Sequence, residues 1–322
     1  MKEITLHQAR MGFQLRNKTE NKSSKTVEWY DSHIERLESF LRNRTVDATG
    51  ALDDPTLSSI DTDVIREFIA YLQGKQTQYE NHPKLKPVAK PLSPYTIRGI
   101  VATLSAFFGW AHLENLIAHD PMDKIKRPKV PKKIKARFTD EEIEKLIAAC
   151  DEYSDSLAIR NEALLRFLLD SAVRASELCT LVIDRVDLER GRAHVTGKGS
   201  KDRYVYFGNK TKHVLWKYIT VYRPSSQSTC VFLTHAGKPL NIFRLAAILT
   251  DIAERAGVEH CNPHKFRHTA ARLMSRNGLD AFMIQKILGH ETLETSRIYV
   301  ELEREDVERA FNRASPMDRL AN

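Results

Sequence analysis

"KIKRPKVPKKIKAR", residues 124–137, is where the chain changes character. The stretch carries eight Lys or Arg and no acid, and Pro128 and Pro131 forbid a helix from running through it. An extended basic segment of this kind is expected to join two folding units, so the chain reads as two domains and a tether. Length agrees, because 322 residues are long for one ordinary domain and enough for two, each with its own core. The plain alternative is a solvated linker with incidental charge. Neutralisation of phosphates along a nucleic acid becomes the better reading once the flanking regions are considered.

On the N-terminal side, residues 1–24 are polar and lysine-rich without clear periodicity, and read as a flexible arm. From Thr26 the pattern changes. "TVEWYDSHIERLESFLRN" places Val27, Tyr30, Ile34, Leu37, Phe40 and Leu41 at helical spacing, and "TDVIREFIAYLQG" repeats this with Val64, Phe68, Ile69 and Leu72 before Gly74. A polar loop over 75–92 leads to "SPYTIRGIVATLSAFFGWAHLENLI", with Ser93 as N-cap, Pro94 as first helical residue and Ile97, Ile100 and Leu104 in the buried stripe. Residues 25–123 therefore read as a small all-helical domain.

On the C-terminal side, "FTDEEIEKLIAAC" restarts with Thr139 as N-cap and Glu142 three residues later, a capping box. Residues 138–322 form the second domain, mainly helical, with helices expected at 210–222, 241–256, 264–277 and 280–288. One segment differs. "RAHVTGKGSKDRYVYF", residues 192–207, alternates Ala193, Val195 and then Val205, Phe207 about a Gly-Lys-Gly-Ser-Lys turn, which predicts a β-hairpin presenting a basic tip. The fold class expected is mainly α with a small β-hairpin or sheet in the C-terminal domain.

Composition narrows the function classes. Hydrophobic residues make up 42% and charged residues 29%, a globular balance, and no apolar run approaches the roughly 20 residues needed to cross a bilayer. No signal peptide is legible at the N-terminus, so a cytoplasmic location is expected, at the nucleoid if the source is bacterial or archaeal. Cys150, Cys179, Cys230 and Cys261 are scattered without a CxxC, which suits a reducing interior without disulfides. The formal charge of +8 favours a polyanionic partner. Candidate phosphate contacts are Lys126, Arg127, Lys129, Lys132 and Lys133 in the tether and Lys201 on the hairpin. "HCNPH" sets His260, Cys261 and His264 near one another, but no second ligand pair follows at similar spacing, so no metal is expected. No Walker loop or carboxylate cluster appears, and no cofactor is expected.

Taken singly, the remaining candidates are ordinary. Arg174 and Glu177 in "VRASELCTL" are one helical turn apart, as in any intrahelical salt bridge contributing about 0.3–0.5 kcal/mol. "HKFR" sets His264 three residues before Arg267, a pattern a basic helix shows by accident. Lys198 sits in the hairpin turn, and in "LGHETLETSRIYV" Tyr299 follows His290 by nine positions. In succession, however, Arg174, Lys198, His264, Arg267, His290 and Tyr299 resemble the tyrosine recombinase or phage integrase family. The resemblance covers residues 138 to about 300 and extends to the local wording of "VRASELCTL", "GKGSKDRYV", "PHKFRHTAARLM" and "IQKILGHETLETSRIYV". The N-terminal helices are similar, more loosely, to that family's core-binding, SAM-like domain, and the short N-terminal arm suits a Xer-like layout.

Phosphodiester chemistry explains the residue types. Its five-coordinate transition state needs fixed positive charge on the non-bridging oxygens, an in-line nucleophile and a proton for the departing oxygen. Arginine meets the first need, since its planar fork stays charged and binds phosphate in two-pronged fashion. The resemblance implies that Tyr299 is the nucleophile, forming a 3'-phosphotyrosyl linkage. It implies further that Lys198 protonates the leaving 5' oxygen, that His264 assists proton transfer, that His290 binds the scissile phosphate, and that Glu177 orients Arg174 or a histidine. His268 is expected to support rather than react. The implied activity is site-specific recombination of double-stranded DNA through a Holliday junction, metal- and ATP-independent, by a two-domain clamp. A homotetramer on DNA, monomeric in solution, would exchange a C-terminal helix between neighbours, and Leu302, Val307, Ala310 and Phe311 give the tail the apolar face this needs. A type IB topoisomerase uses a similar residue set, and an architectural DNA-binding protein without catalysis is the rival from another class.

Overall fold

The computed structural model describes residues 3–44, 54–75, 77, 88–131, 136–197 and 202–289. The chain divides into two compact units, Met1–Lys133 and Ile134–Asn322. The first is helical: α1 (Leu6–Thr19), α2 (Ser24–Arg44), α3 (Thr62–Gly74) and α4 (Pro94–Leu113). Local chemistry starts the helices. Asp61 accepts hydrogen bonds from the backbone of Asp63 and Val64, and Ser93 caps Thr96 ahead of Pro94 at the first helical position. The buried faces converge on Ile34, Leu37, Ile65, Phe68, Ile100, Leu104, Phe107 and Phe108.

Residues 3–24 are not the flexible arm that their polarity predicts. Thr5 and Gln8 form a reciprocal capping box at the start of α1, and Leu6, Ala9 and Phe13 are buried. Phe13 meets Phe107 and Trp110 at centroid distances of 5.5 and 5.3 Å. The charged side of the helix is also engaged, since Arg10 pairs with Asp31 at 3.3 Å and with buried Glu38 at 3.1 Å, both on α2. Only three apolar positions mark the stripe, too few to stand out among charges; the partners that bury them lie on α2 and α4. After α4 the chain runs without helix from Lys124 to Pro131, as the prolines require. Ile125 packs on the first core while Lys126, Arg127 and Lys129 are exposed. Lys132 and Lys133 lie outside the described residues.

The second unit contains α5 (Asp140–Ala148), α6 (Asp155–Ser171), α7 (Ala175–Cys179), β1 (Val186–Asp187), β2 (Arg192–Thr196), β3 (Asp202–Tyr206), α8 (Asn209–Lys217), α9 (Ile242–Ala256), α10 (Pro263–Arg276) and α11 (Ala281–Leu288). Thr139 and Glu142 form the expected capping box on α5. The expected hairpin is present: β2 and β3 pair antiparallel with Ala193 opposite Val205 and Val195 opposite Arg203, and β1 extends the sheet beside β2. The helix expected over 210–222 is α8 continued by one wide π-type turn over Tyr218–Tyr222. The core centres on α6, through Ala163, Leu164, Phe167 and Leu168, against the sheet and α8 and α9. A smaller cluster of Ala172, Ala270, Ala271, Ile284 and Leu288 joins the end of α6 to α10 and α11. Alanines there permit close approach, which matters for the site. The four cysteines are free thiols, and no helix among the described residues is long and apolar enough to cross a membrane.

Candidate active site

The site assembles where α6 ends. Ser171 is the last residue of that helix, and Ala172 takes a left-handed conformation with φ of 51°, which turns the chain sharply before α7. Arg174 is the N-cap of α7, and the carboxylate of Glu177, one turn in, accepts from the Arg174 backbone N–H and from Arg174 Nη1, each at 2.8 Å. Glu177 does caps and charge at once, so the pair is more than a surface salt bridge: its side chain is 1% exposed, against 33% for Arg174.

Arg267 reaches the same place from α10. Asn262 caps that helix and Pro263 opens it, which puts His264 in the first turn and Arg267 one turn later on the same side. The guanidinium is buried and donates to Ala172 O at 2.6 Å and to Leu288 O at 2.5 Å. Arg174 Nη2 donates to Gly289 O at 3.1 Å. Two arginines from two helices are thus drawn together by neighbouring carbonyls at the end of α11, the negative end of its dipole. His264 is exposed on α10. Lys198, Lys201, His290 and Tyr299 lie outside the described residues, His290 directly following Gly289 in the chain.

Arg203 is a site residue that the sequence reading missed. Its Nη1 and Nη2 donate to Glu177 Oε1 and Oε2 at 2.5 and 2.9 Å, and its Nε donates to Ile287 O at 3.1 Å. A signal was available. Strand alternation places Arg203 on the same face as Val205, opposite Val195, both buried, and a charge on an inward face requires a partner. Burial pushes the Glu177 carboxyl up, but the hydrogen bonds from Arg203 and from the Arg174 backbone outweigh it, and the group titrates below its usual range. It is therefore an anion at neutral pH, holding two guanidinium groups in place.

The arrangement suits a phosphate ester, with one half-open guanidinium and one buried one side by side and a carboxylate fully occupied by donors. Cys150 and Cys261 do not compete as nucleophiles, since burial pushes their thiols up to about 12. Among the described residues no three His, Cys, Asp or Glu side chains are grouped to hold a metal ion.

Comparison with known proteins finds relatives of both units. The phage integrase family profile matches residues 136–306, and that of the phage integrase SAM-like domain matches residues 13–127. The chain is 32% identical over 224 residues to the tyrosine recombinase XerC of Lactobacillus leichmannii, covering 68% of this chain and 76% of that protein. It is 29% identical over 301 residues to the tyrosine recombinase XerD of Listeria monocytogenes, covering 90% and 93%. In fold it is similar to the Tn1549 transposon integrase in complex with transposon right end DNA, with a TM-score of 0.73, 18% identity and coverage of 97% and 100%. It is likewise similar to the XerH site-specific recombinase bound to palindromic difH substrate, with a TM-score of 0.68, 22% identity and coverage of 94% and 82%. These matches favour neither the type IB topoisomerase nor the silent architectural reading. With recombinase relatives along both units, the chain belongs to the phage integrase family and is a tyrosine recombinase.

Proposed function

We propose that the chain recombines specific double-stranded DNA sites with Tyr299 as nucleophile. The phenolic oxygen attacks the scissile phosphorus in line, the bond to the 5' oxygen breaks, and the DNA is left joined through its 3' phosphate to the tyrosine. Lys198 gives the departing 5' oxygen its proton, and His264 receives the proton from Tyr299. Arg174, Arg267 and His290 hold the non-bridging oxygens as negative charge builds on them. A 5' hydroxyl from the partner duplex then attacks the phosphotyrosine, so the step reverses without ATP and strands exchange through a Holliday junction.

The observation that carries this reading is the meeting of Arg174 and Arg267 on adjacent carbonyls, Gly289 O and Leu288 O. Two fixed cations are gathered on the chain immediately before His290, in the segment that leads to Tyr299. Lys126, Arg127 and Lys129, exposed on an extended stretch, with Lys132, Lys133 and Lys201, supply phosphate contacts, so binding weakens steeply with salt. Four copies assemble on DNA from monomers, in the cytoplasm at the nucleoid.

The test is covalent trapping on DNA from the ends of the element or chromosomal site that flanks the gene. Wild-type protein is expected to yield a denaturant-resistant protein–DNA adduct in the presence of a chelator. Tyr299→Phe, which removes only a hydroxyl, should bind the same DNA and form no adduct. Strand cleavage by that variant would overturn the assignment.

A further inference from the structure

Carbonyls at the C-terminal end of a helix run out of N–H donors from their own helix. At the end of α11, three consecutive carbonyls are each taken by a different arginine: Ile287 O by Arg203, Leu288 O by Arg267 and Gly289 O by Arg174. Arg203 is the one of the three that the chemistry proposed above leaves without a task. Its guanidinium is fully engaged within the protein. All three kinds of guanidinium nitrogen are committed, Nε to Ile287 and both Nη atoms to Glu177. Its stem lies against Gly289, where an added Cβ would fall 2.8 Å from Arg203 Cδ; with φ of +64°, that position takes glycine alone without strain.

Glu177 links Arg203 to Arg174. Its two oxygens accept four hydrogen bonds, two from each arginine, so its lone pairs are fully used. Arg174 is one-third exposed and Arg203 only 13%, which leaves Arg174 open to a ligand while Arg203 stays behind the carboxylate. A long arginine side chain that is half open loses its aim unless something fixes its partner. Arg203, anchored on strand β3 and on the end of α11, is what fixes Glu177.

We propose that Arg203 is a positioning residue for strand cleavage, acting through Glu177 to set the aim of Arg174 at the scissile phosphate. This rests on the reading in which Arg174 grips that phosphate. Lysine cannot replace it, because a point charge makes no three-directional bracket.

The experiment compares wild type, Arg203→Lys and Arg203→Gln at saturating DNA, measuring the rate of adduct formation within the bound complex. Both variants should keep DNA affinity within about threefold and lose about ten- to a hundredfold in that rate. Each protein is also given DNA with a methylphosphonate at the scissile position, which removes the charge that Arg174 is there to meet. On this substrate the defect should shrink to within about threefold, as it should for Arg174→Ala run beside them. Equal losses on both substrates, or none on the natural diester, would show that Arg203 serves the fold alone. If both Arg203 variants fail to fold, Glu177→Gln, which weakens the same link from the other side, is held to the same two outcomes. Absence of an adduct with wild type is a different failure: it removes the Tyr299 reading, and this inference with it.

Discussion

At the scale of single residues, Arg174 and Arg267, the proposed phosphate clamp, differ in their surroundings. Arg267 is 3% exposed and donates to two carbonyls, Ala172 O and Leu288 O, so it is structural as well as electrostatic. Arg267→Ala should lower folding stability by about 2–4 kcal/mol, because removing it leaves buried acceptors unpaired. Arg174, half open, should cost about 1 kcal/mol on the same change, since Glu177 retains Arg203. Cleavage should fall about a thousandfold or more in both. Urea unfolding beside adduct formation separates the two quantities; equal stability losses would contradict the burial argument. The same contrast explains why Arg174 and Glu177 resemble a common helical pair in the sequence. The second arginine on that carboxylate arrives from a strand.

At the scale of elements, α1 is the instructive case. Phe13 is 2% exposed and touches aromatic rings of α4, so Phe13→Ala should destabilise the protein by about 3–5 kcal/mol, read by thermal or urea unfolding. A flexible arm would register no change. The junction of α2 with α4 adds a pH response. His33 Nδ1 meets the Thr103 hydroxyl at 2.9 Å; burial, helped by Arg36, lowers its pKa from 6.5 to about 4. The unfolded chain therefore takes the proton first as pH falls. Stability contributed by neutral His33 is intact above pH 6.5 and declines by up to about 1.4 kcal/mol per pH unit until pH reaches about 4. His33→Gln should flatten this acid limb, with the full chain unfolded at pH 7, 6, 5 and 4. An unchanged slope would assign the loss to other groups.

At the scale of the whole molecule, the question is how copies act together. The tail after Tyr299, "VELEREDVERAFNRASPMDRLAN", lies outside the described residues, and its apolar positions Leu302, Val307, Ala310 and Phe311 are few among charges. Such a segment is too small for a core of its own and suited to a groove on a neighbour. Passed head to tail between the four proposed copies, it would close a ring and tie each active site to the next. Truncation after Arg304 is expected to leave binding to a single site intact while weakening cooperative binding and recombination between paired sites. Gel-shift titration on one and two sites, beside a recombination assay, reads both. Full recombination by the truncated protein would place the subunit contacts elsewhere.

What the sequence by itself determined was local. Ser93 with Pro94 and Thr139 with Glu142 start α4 and α5 where they were expected, because a cap is satisfied within four residues. The hairpin was legible for the same reason, its alternation and turn being written in one short stretch. Arg174, Lys198, His264, Arg267, His290 and Tyr299 in succession resemble the tyrosine recombinase family, and that resemblance implied phosphodiester chemistry without any coordinates. The meeting of Arg174 and Arg267 on neighbouring carbonyls was decided by tertiary structure. Arg174 and the carbonyl it holds are 115 positions apart, and Arg203 and Glu177 are 26 apart, so no periodicity couples them. Likewise α1 is ordered by Arg10 finding Glu38 and Phe13 finding Phe107. A guanidinium can be satisfied by any carboxylate or carbonyl that comes within reach, and only the folded chain chooses which.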